Sequence, residues 1–144
     1  MKALFIGGTG TISSAITRKL LEQGCELYLL NRGNRNDVLP EGAHILRADI
    51  HDEDRVAQLI QDLEFDVVAD FIAFEPADLE RDYRLFAGKT KQFIFISSAS
   101  AYQTPLSDYR ITEGTPLSNP YWAYSRNKIA CEDYLMKQYR EVGF

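Results

Sequence analysis

A glycine-rich turn directly follows a short apolar segment at the start of the chain. Residues 2–6 read Lys-Ala-Leu-Phe-Ile, residues 7–13 read Gly-Gly-Thr-Gly-Thr-Ile-Ser, and apolar side chains then recur at helical spacing as far as Gly24. This order predicts a buried strand, a tight turn and a helix, as in a parallel α/β sheet. Because the first N–H groups of a helix lack intrahelical partners and carry the positive end of its dipole, the turn is expected to bind an anion.

The same turn predicts a dinucleotide site in which Gly7, Gly10, Thr11 and Ile12 contact the pyrophosphate. The alternative is a purely structural turn, because glycine also serves ordinary turns and helix ends. The third glycine of the pattern G-x-x-G-x-x-G allows close packing of the helix on the strand, and Ser13 stands at that position. We therefore expect the helix to lie slightly further from the strand, and this shift would affect the affinity of the turn for a dinucleotide.

Strand-like and helix-like segments alternate along the chain, which predicts a parallel sheet with helices on both faces. In such a doubly wound α/β fold, ligands bind at the carboxyl ends of the strands. Residues 103–120 are polar and contain proline, and are predicted to form a long loop beside the site. The predicted strands are residues 2–6, 26–30, 44–47, 66–72 and 92–97, and the predicted helices are residues 11–23, 52–63, 78–87 and 121–142.

Length and charge restrict the class of protein. The 144 residues fit one domain, and the net charge of -5 argues against a surface that binds nucleic acid. No apolar segment is long enough for a membrane span or a signal peptide, so we expect a cytoplasmic protein that binds neither membrane nor nucleic acid. Cys25 and Cys131 form no C-x-x-C pair and are interpreted as reduced packing residues.

Metal binding is not expected, because the chain has only two histidines. One of them, His51, lies in an acidic cluster with Asp49, Asp52 and Asp54. We interpret this cluster as a turn followed by a helix cap at Asp52, since apolar residues at helical spacing come after it.

Tyr124 and Lys128 lie four residues apart, so a helix places them on one face. A buried ammonium needs a partner, and an ammonium beside a phenol favours the phenolate, which suits acid-base chemistry at neutral pH. A Tyr-x-x-x-Lys pattern alone also arises by chance in a chain with eight tyrosines. The serines within residues 97–100 strengthen the functional interpretation, because they follow a predicted strand at the sheet edge that carries the glycine turn.

Three segments together resemble the short-chain dehydrogenase/reductase superfamily, in particular its extended NAD-dependent epimerase/dehydratase branch. They are the glycine turn, Phe-Ile-Ser-Ser-Ala-Ser-Ala-Tyr at residues 95–102 and Tyr-Ser-Arg-Asn-Lys at residues 124–128. The resemblance implies a Rossmann-type sheet of order 3-2-1-4-5 across essentially the whole chain. It also implies that Tyr124 donates or accepts a proton, that Lys128 favours loss of that proton and holds the nicotinamide ribose, and that Ser98 hydrogen-bonds the reacting oxygen.

Further contacts are implied by the same resemblance. Asp49 and Ile50 would contact the adenine, and Ala73 would line the cofactor channel. The substrate class would be a nucleotide sugar, with hydride transfer at a hydroxyl or carbonyl carbon. A homodimer would form through the helices at residues 78–87 and 121–142.

The residues after the second strand bear on cofactor choice. Members of this branch that use NAD usually carry an acid there for the adenosine ribose, whereas this chain has Asn31, Arg32 and Arg35 without a carboxylate. Two arginines suit a 2′-phosphate, which favours NADP over NAD. The alternative is that both arginines are solvated loop charges.

Members of the branch are longer than this chain, so the resemblance implies that residues 1–144 are the N-terminal dinucleotide-binding part, ending before a sixth strand and a substrate-recognising lobe. The expected activity is that of an NAD(P)-dependent epimerase, dehydratase or reductase, and this part alone is expected to bind cofactor more than to turn over substrate. One alternative is a non-catalytic nucleotide-binding sensor or scaffold. Another is an RNA-binding relative, which the acidic charge disfavours.

Overall fold

The computed structural model describes residues 1–33 and 39–144. Each predicted strand and helix is present, with boundaries shifted by a few residues, and a short 3-10 turn that was not predicted follows the last strand at Ala99–Ala101. The elements in chain order are β1 (Lys2–Ile6), α1 (Thr11–Glu22), β2 (Glu26–Asn31), β3 (His44–Arg47), α2 (Glu53–Leu59), β4 (Phe65–Asp70), α3 (Pro76–Phe86), β5 (Thr90–Phe95) and α4 (Ala123–Val142).

The chain divides into two compact units, which are described separately. Unit 1 comprises residues 1–72 and 81–96, and unit 2 comprises residues 73–80 and 97–144. Unit 1 contains a five-stranded, all-parallel sheet in the order β3-β2-β1-β4-β5. The predicted α/β class and strand order are therefore confirmed.

The central strand β1 is buried on both faces. Its residues Ala3, Leu4, Phe5 and Ile6 are at most 3% exposed. Consecutive buried residues in a parallel strand mean that both faces of the sheet are covered. On one face a core cluster includes Ala3 and Phe5 with residues of β2 and β4, and Leu20 of α1 packs against it. Burying each large apolar side chain contributes roughly 1.5–3 kcal/mol before the entropy of ordering is subtracted.

Helix α2 ends earlier than the apolar spacing predicts, at Leu59 rather than residue 63. The side chain of Lys89 explains this difference, because its Nζ donates hydrogen bonds to the carbonyl oxygens of Ile60 and Gln61 at 3.2 and 2.8 Å. The Ile60 carbonyl also accepts from Leu63 N at 3.0 Å, and Lys89 supplies a donor to the Gln61 carbonyl, so the chain can turn towards β4.

Two carboxyl groups share one guanidinium inside unit 1. Arg81 donates from Nε and Nη2 to Asp82 Oδ1 at 3.0 and 2.8 Å, and its Nη2 lies 3.4 Å from Asp70 Oδ2. All three side chains are almost completely buried, and His51 Nδ1 lies 3.4 Å from Arg81 Nη1. Burial and, secondly, the charge of Asp70 raise the pKa of Asp82 to about 9. Asp82 Oδ2 is buried without a hydrogen-bond partner within the described residues.

This raised pKa predicts that the protein loses stability as the pH rises. Folded Asp82 keeps its proton up to about pH 9, whereas an unfolded aspartate loses it near pH 4. The contribution of Asp82 to the free energy of unfolding is therefore complete below about pH 4. It declines as the pH rises towards 9, by up to roughly 1.4 kcal/mol per pH unit. Asp82→Asn should flatten this slope in chemical denaturation, and the exposed-site control Asp62→Asn should leave it unchanged. An unaltered slope in Asp82→Asn would contradict the assignment.

Unit 2 is built on the 20-residue helix α4. Its residues Ser125, Lys128 and Cys131 are buried, and the helix ends at Gly143, which has a left-handed conformation with φ 76°. Both Cys131 and the half-buried Cys25 of unit 1 are free thiols. The long loop after the 3-10 turn folds back on itself, so that Gln103 N donates to the carbonyl oxygen of Pro116 at 2.8 Å. None of the helices in the described part of the chain is both long and apolar enough to cross a membrane.

Candidate functional site

The turn between β1 and α1 passes so close to neighbouring side chains that only glycine fits. Gly7 has φ +81°, and a β-carbon there would lie 2.5 Å from Ile72 Cγ2. A β-carbon at Gly8 would lie 2.5 Å from Leu29 Cδ2. Since real β-carbons essentially never approach other atoms so closely, the glycines allow the backbone to lie directly against β2 and the residues after β4.

Side chains from α1 brace this turn. Ser13 is 1% exposed, and its Oγ accepts from the N–H of Gly10 at 2.9 Å and donates to the carbonyl oxygen of Gly7 at 2.8 Å. Thr17 Oγ1 donates to the carbonyl oxygen of Gly8 at 3.1 Å. The serine that replaces the third glycine is thus part of the turn, a role that the glycine pattern alone did not predict.

The first turn of α1 carries no acidic residue, and Thr11 and Ile12 at its start are exposed. By contrast, α2 is capped by Asp52, whose Oδ1 accepts from Arg55 N at 3.1 Å, and Glu53 follows it. The predicted helix cap at Asp52 is therefore confirmed. Because no carboxylate offsets the N–H groups and dipole at the start of α1, this helix end favours an external anion.

The turn also lies next to the end of β2. Gly7 N donates to the carbonyl oxygen of Leu30 at 3.3 Å, and Asn31 follows that residue. The Nδ2 atom of Asn31 is buried without a hydrogen-bond partner within the described residues, whereas Arg32 is exposed. Arg35 lies outside the described residues.

The candidate adenine contacts follow β3 in unit 1. Ala48 N donates to the carbonyl oxygen of Asn31 at 3.2 Å, which ties the chain after β3 to the end of β2. Asp49 follows, with Oδ1 accepting from the N–H of His51 at 3.0 Å, and Ile50 is 4% exposed. Within unit 1 the predicted pyrophosphate, ribose and adenine positions therefore belong to neighbouring chain segments.

In unit 2, Lys128 is 2% exposed and its Nζ donates to the carbonyl oxygen of Ala73 at 2.7 Å. The same atom lies 5.7 Å from the ring centroid of Tyr124 and 5.1 Å from that of Phe74. Tyr124 is half-buried, and the ring centroids of Trp122 and Phe74 lie 4.8 and 6.2 Å from its own. The structure thus places an ammonium beside the phenol ring, and adds two aromatic neighbours that the sequence motifs did not indicate.

Ser98 begins the 3-10 turn after β5, and its Oγ accepts from Ser100 N at 3.2 Å. Its neighbour Ser97 bonds through Oγ to the carboxylate of Glu132 on α4. Ser97, Ser98 and Glu132 line a cavity of about 280 Å³ in unit 2. Of the side chains in residues 1–33 and 39–144, no three His, Cys, Asp or Glu residues are grouped to hold a metal ion.

Comparison with known proteins agrees with this geometry. A family model described as NAD dependent epimerase/dehydratase family matches residues 3–144. A UDP-glucose 4-epimerase of Lactobacillus helveticus is 30% identical over 92% of this chain and 45% of its own length. A 2'-dehydrokanamycin reductase of Streptomyces kanamyceticus is 26% identical over 92% of this chain and 37% of its own length. The chain therefore belongs to the NAD-dependent epimerase/dehydratase family, which is a family of enzymes.

A solved structure supports the fold assignment. The UDP-glucose 4-epimerase from Bifidobacterium longum in complex with NAD+ and UDP superposes with a TM-score of 0.83 at 20% identity, over 99% of this chain and 50% of that chain. The chain spans about half the length of that structure, and 45% and 37% of the two relatives above.

The close packing at Gly7 predicts a difference between two glycines that both have positive φ. Gly7→Ala forces a β-carbon onto Ile72 and should displace the turn. We expect dinucleotide binding to weaken by about tenfold or more and the free energy of unfolding to fall. At Gly24, with φ +73°, no atom lies within 4 Å of the β-carbon position, so Gly24→Ala should cost only about 1 kcal/mol of conformational strain and leave affinity unchanged. Isothermal titration calorimetry and thermal unfolding measure both quantities, and equal affinities for the two variants would contradict the expected displacement.

Proposed function

We propose that residues 1–144 function as the dinucleotide-binding domain of an NAD(P)-dependent epimerase or oxidoreductase that acts on a nucleotide sugar. The observation that carries this proposal is the buried Lys128 ammonium, which bonds the carbonyl of Ala73 and lies 5.7 Å from the Tyr124 ring. Family membership and the glycine turn support it from independent parts of the chain.

The residues of unit 1 fit a dinucleotide. The turn has no room for side chains at Gly7 and Gly8, so its backbone can approach a pyrophosphate, and Thr11 and Ile12 offer N–H groups at the start of α1. The unpartnered Nδ2 of Asn31 is a buried donor that a ribose oxygen would satisfy. Asp49 and Ile50 would contact the adenine, and Ala73 in unit 2 would line the channel.

We further propose that the cofactor is NADP. Asn31 brings no negative charge to the end of β2, and the exposed Arg32 next to it would pair with a 2′-phosphate. Arg35 belongs to the same proposal on sequence grounds alone. NAD is the alternative, and it is the cofactor printed for the Bifidobacterium longum structure.

Cofactor preference is tested by titrating the chain with NADPH and NADH in a calorimeter. We expect tighter binding of NADPH, and Arg32→Ala should weaken NADPH by about 10- to 100-fold while changing NADH little, since a charge-assisted bond to the phosphate is lost. The exposed Arg55 of α2 supplies the control Arg55→Ala, which should change neither affinity. Equal affinities for the two cofactors in the unaltered chain would contradict the choice of NADP.

The proposed chemistry is proton transfer by Tyr124 at the oxygen of the reacting carbon. The nicotinamide ring supplies the acceptor or donor of the hydride at that carbon. Tyr124 Oη takes or gives the hydroxyl proton, the Lys128 ammonium stabilises the phenolate, and Ser98 Oγ hydrogen-bonds the reacting oxygen. Lys128 would also hold the nicotinamide ribose. The names of the relatives support both epimerisation and reduction.

This chemistry predicts that Tyr124→Phe abolishes turnover and spares cofactor binding. Removing a general acid-base typically reduces rate by about 10²- to 10⁴-fold, whereas the ring contacts with Trp122 and Phe74 persist in phenylalanine. Interconversion of UDP-glucose and UDP-galactose and reduction of a keto sugar nucleotide are the assays, with calorimetry for affinity. Tyr109 is 86% exposed and provides the control Tyr109→Phe. The assays are run on the longer enzyme whose dinucleotide-binding domain residues 1–144 are proposed to be, and activity within about threefold of the unaltered enzyme in Tyr124→Phe would count against the proposal.

A homodimer through the helices at residues 78–87 and 121–142 is also proposed. Three apolar residues on α4 that are at least half exposed support it, namely Met136, Tyr139 and Val142. Burying such residues against a second copy would remove apolar surface from water.

A further inference from the structure

A continuous chain of hydrogen bonds runs through unit 2 to the hydroxyl of Ser98. Asn119 Nδ2 donates to Ser125 Oγ at 3.4 Å, the longest link, and Ser125 Oγ donates to Ser100 Oγ at 2.9 Å. Ser100 Oγ in turn lies 2.9 Å from Ser98 Oγ. Ser125 is completely buried, so its hydroxyl has no access to solvent in which to find other partners.

The orientation of the Asn119 amide is fixed at the beginning of this chain. Its Oδ1 accepts from Tyr121 N at 3.1 Å, and its Nδ2 also donates to the carbonyl oxygen of Ser100 at 2.9 Å. A flipped amide would place an oxygen against the Ser100 carbonyl and an NH₂ group against the Tyr121 N–H, and both contacts would be repulsive. The atom facing Ser125 is therefore a nitrogen, which only donates.

A fixed donor at one end sets the direction of each hydroxyl that follows. Ser125 Oγ accepts a hydrogen bond from Asn119 Nδ2 and donates one to Ser100 Oγ. Head-to-tail hydroxyl chains strengthen each bond, so Ser100 in turn donates to Ser98. Ser98 Oγ also accepts from Ser100 N at 3.2 Å. Both lone pairs of Ser98 are then occupied, and only its proton is left for a further partner.

We propose that Asn119, through Ser125 and Ser100, obliges the hydroxyl of Ser98 to act as a hydrogen-bond donor to the reacting oxygen. These three are positioning residues, and the inference depends on the proposed function only for the identity of the group that receives the Ser98 proton. A serine that donates stabilises negative charge developing on that oxygen. Without the chain, the hydroxyl could equally present a lone pair, which would repel the same charge.

Neutron diffraction from a crystal exchanged into D₂O tests the direction of the bonds in the unaltered chain. We expect deuterium on Ser125 Oγ directed at Ser100, deuterium on Ser100 Oγ directed at Ser98, and the Ser98 deuteron directed away from both. A Ser98 deuteron on the line to Ser100 Oγ would overturn the inference. This measurement requires no turnover, so its result separates the inference from the proposed function.

Asn119→Asp, made in the longer enzyme whose dinucleotide-binding domain is proposed above, tests the same direction through kinetics. The carboxylate keeps the acceptor for Tyr121 N but turns the donor that faces Ser125 Oγ and the Ser100 carbonyl into an acceptor. This change reverses the chain and also replaces the bond to that carbonyl by a repulsive contact. We expect kcat to fall by about 10²-fold with KM and cofactor affinity little changed, the size of effect seen when one oxyanion donor is lost. The activity of this variant should recover as the pH falls, because a protonated carboxyl can donate again. A kcat within about threefold of the unaltered enzyme at neutral pH would overturn the inference.

Variants at Ser100 separate direction from packing. Ser100→Ala removes the hydroxyl that joins Ser125 Oγ to Ser98 Oγ and should lower kcat as Asn119→Asp does. Ser100→Thr keeps a hydroxyl at this position and should retain most of the kcat of the unaltered enzyme. Rates are normalised to the fraction of chain that binds cofactor, so a loss of folded protein does not enter the comparison. Equal kcat values for the alanine and threonine variants would overturn the role of the hydroxyl.

Discussion

The absence of side chains at Gly7 and Gly8 is the constraint on which the rest of unit 1 depends. A β-carbon at either position would lie 2.5 Å from a neighbouring side-chain carbon, so the chain leaves β1 in direct contact with Ile72 and Leu29. This close approach aligns α1 with the sheet and lets Ser13 and Thr17 reach the turn carbonyls. The N–H groups at the start of α1 are consequently held at the carboxyl end of the central strand, where parallel α/β folds bind their ligands.

Most of the fold could be predicted from the sequence, because its main signals are local. Apolar periodicity and glycine positions predicted every strand and helix and the parallel class of the sheet. Helix α2 was predicted too long, since its end depends on Lys89, which is distant in sequence and bonds the carbonyls of Ile60 and Gln61. A helix end that is fixed by a residue distant in sequence cannot be recognised from the local pattern of apolar residues.

The candidate site could be predicted only in part, for the same reason. The four-residue spacing within one helix indicated the pair Tyr124 and Lys128, and the place after a strand indicated the serines of residues 97–100. The choice of Ser98 among these serines came from the family resemblance. Asn119 and Ser125 could not be assigned a role, because their bonds require the loop to fold back until Asn119 reaches the Ser100 carbonyl at 2.9 Å. The buried group of Asp70, Arg81 and Asp82 was missed likewise, since a strand and a helix must pack before these charges meet.

The indole ring beside Tyr124 has a practical consequence. Trp122 is the chain's single tryptophan, and its ring centroid lies 4.8 Å from that of Tyr124. Its emission spectrum therefore originates from one location, next to the phenol, and is not averaged over distant parts of the molecule. The protein carries its own optical probe of that phenol, without a label, and Trp122 is 55% exposed and so open to a quencher in solution.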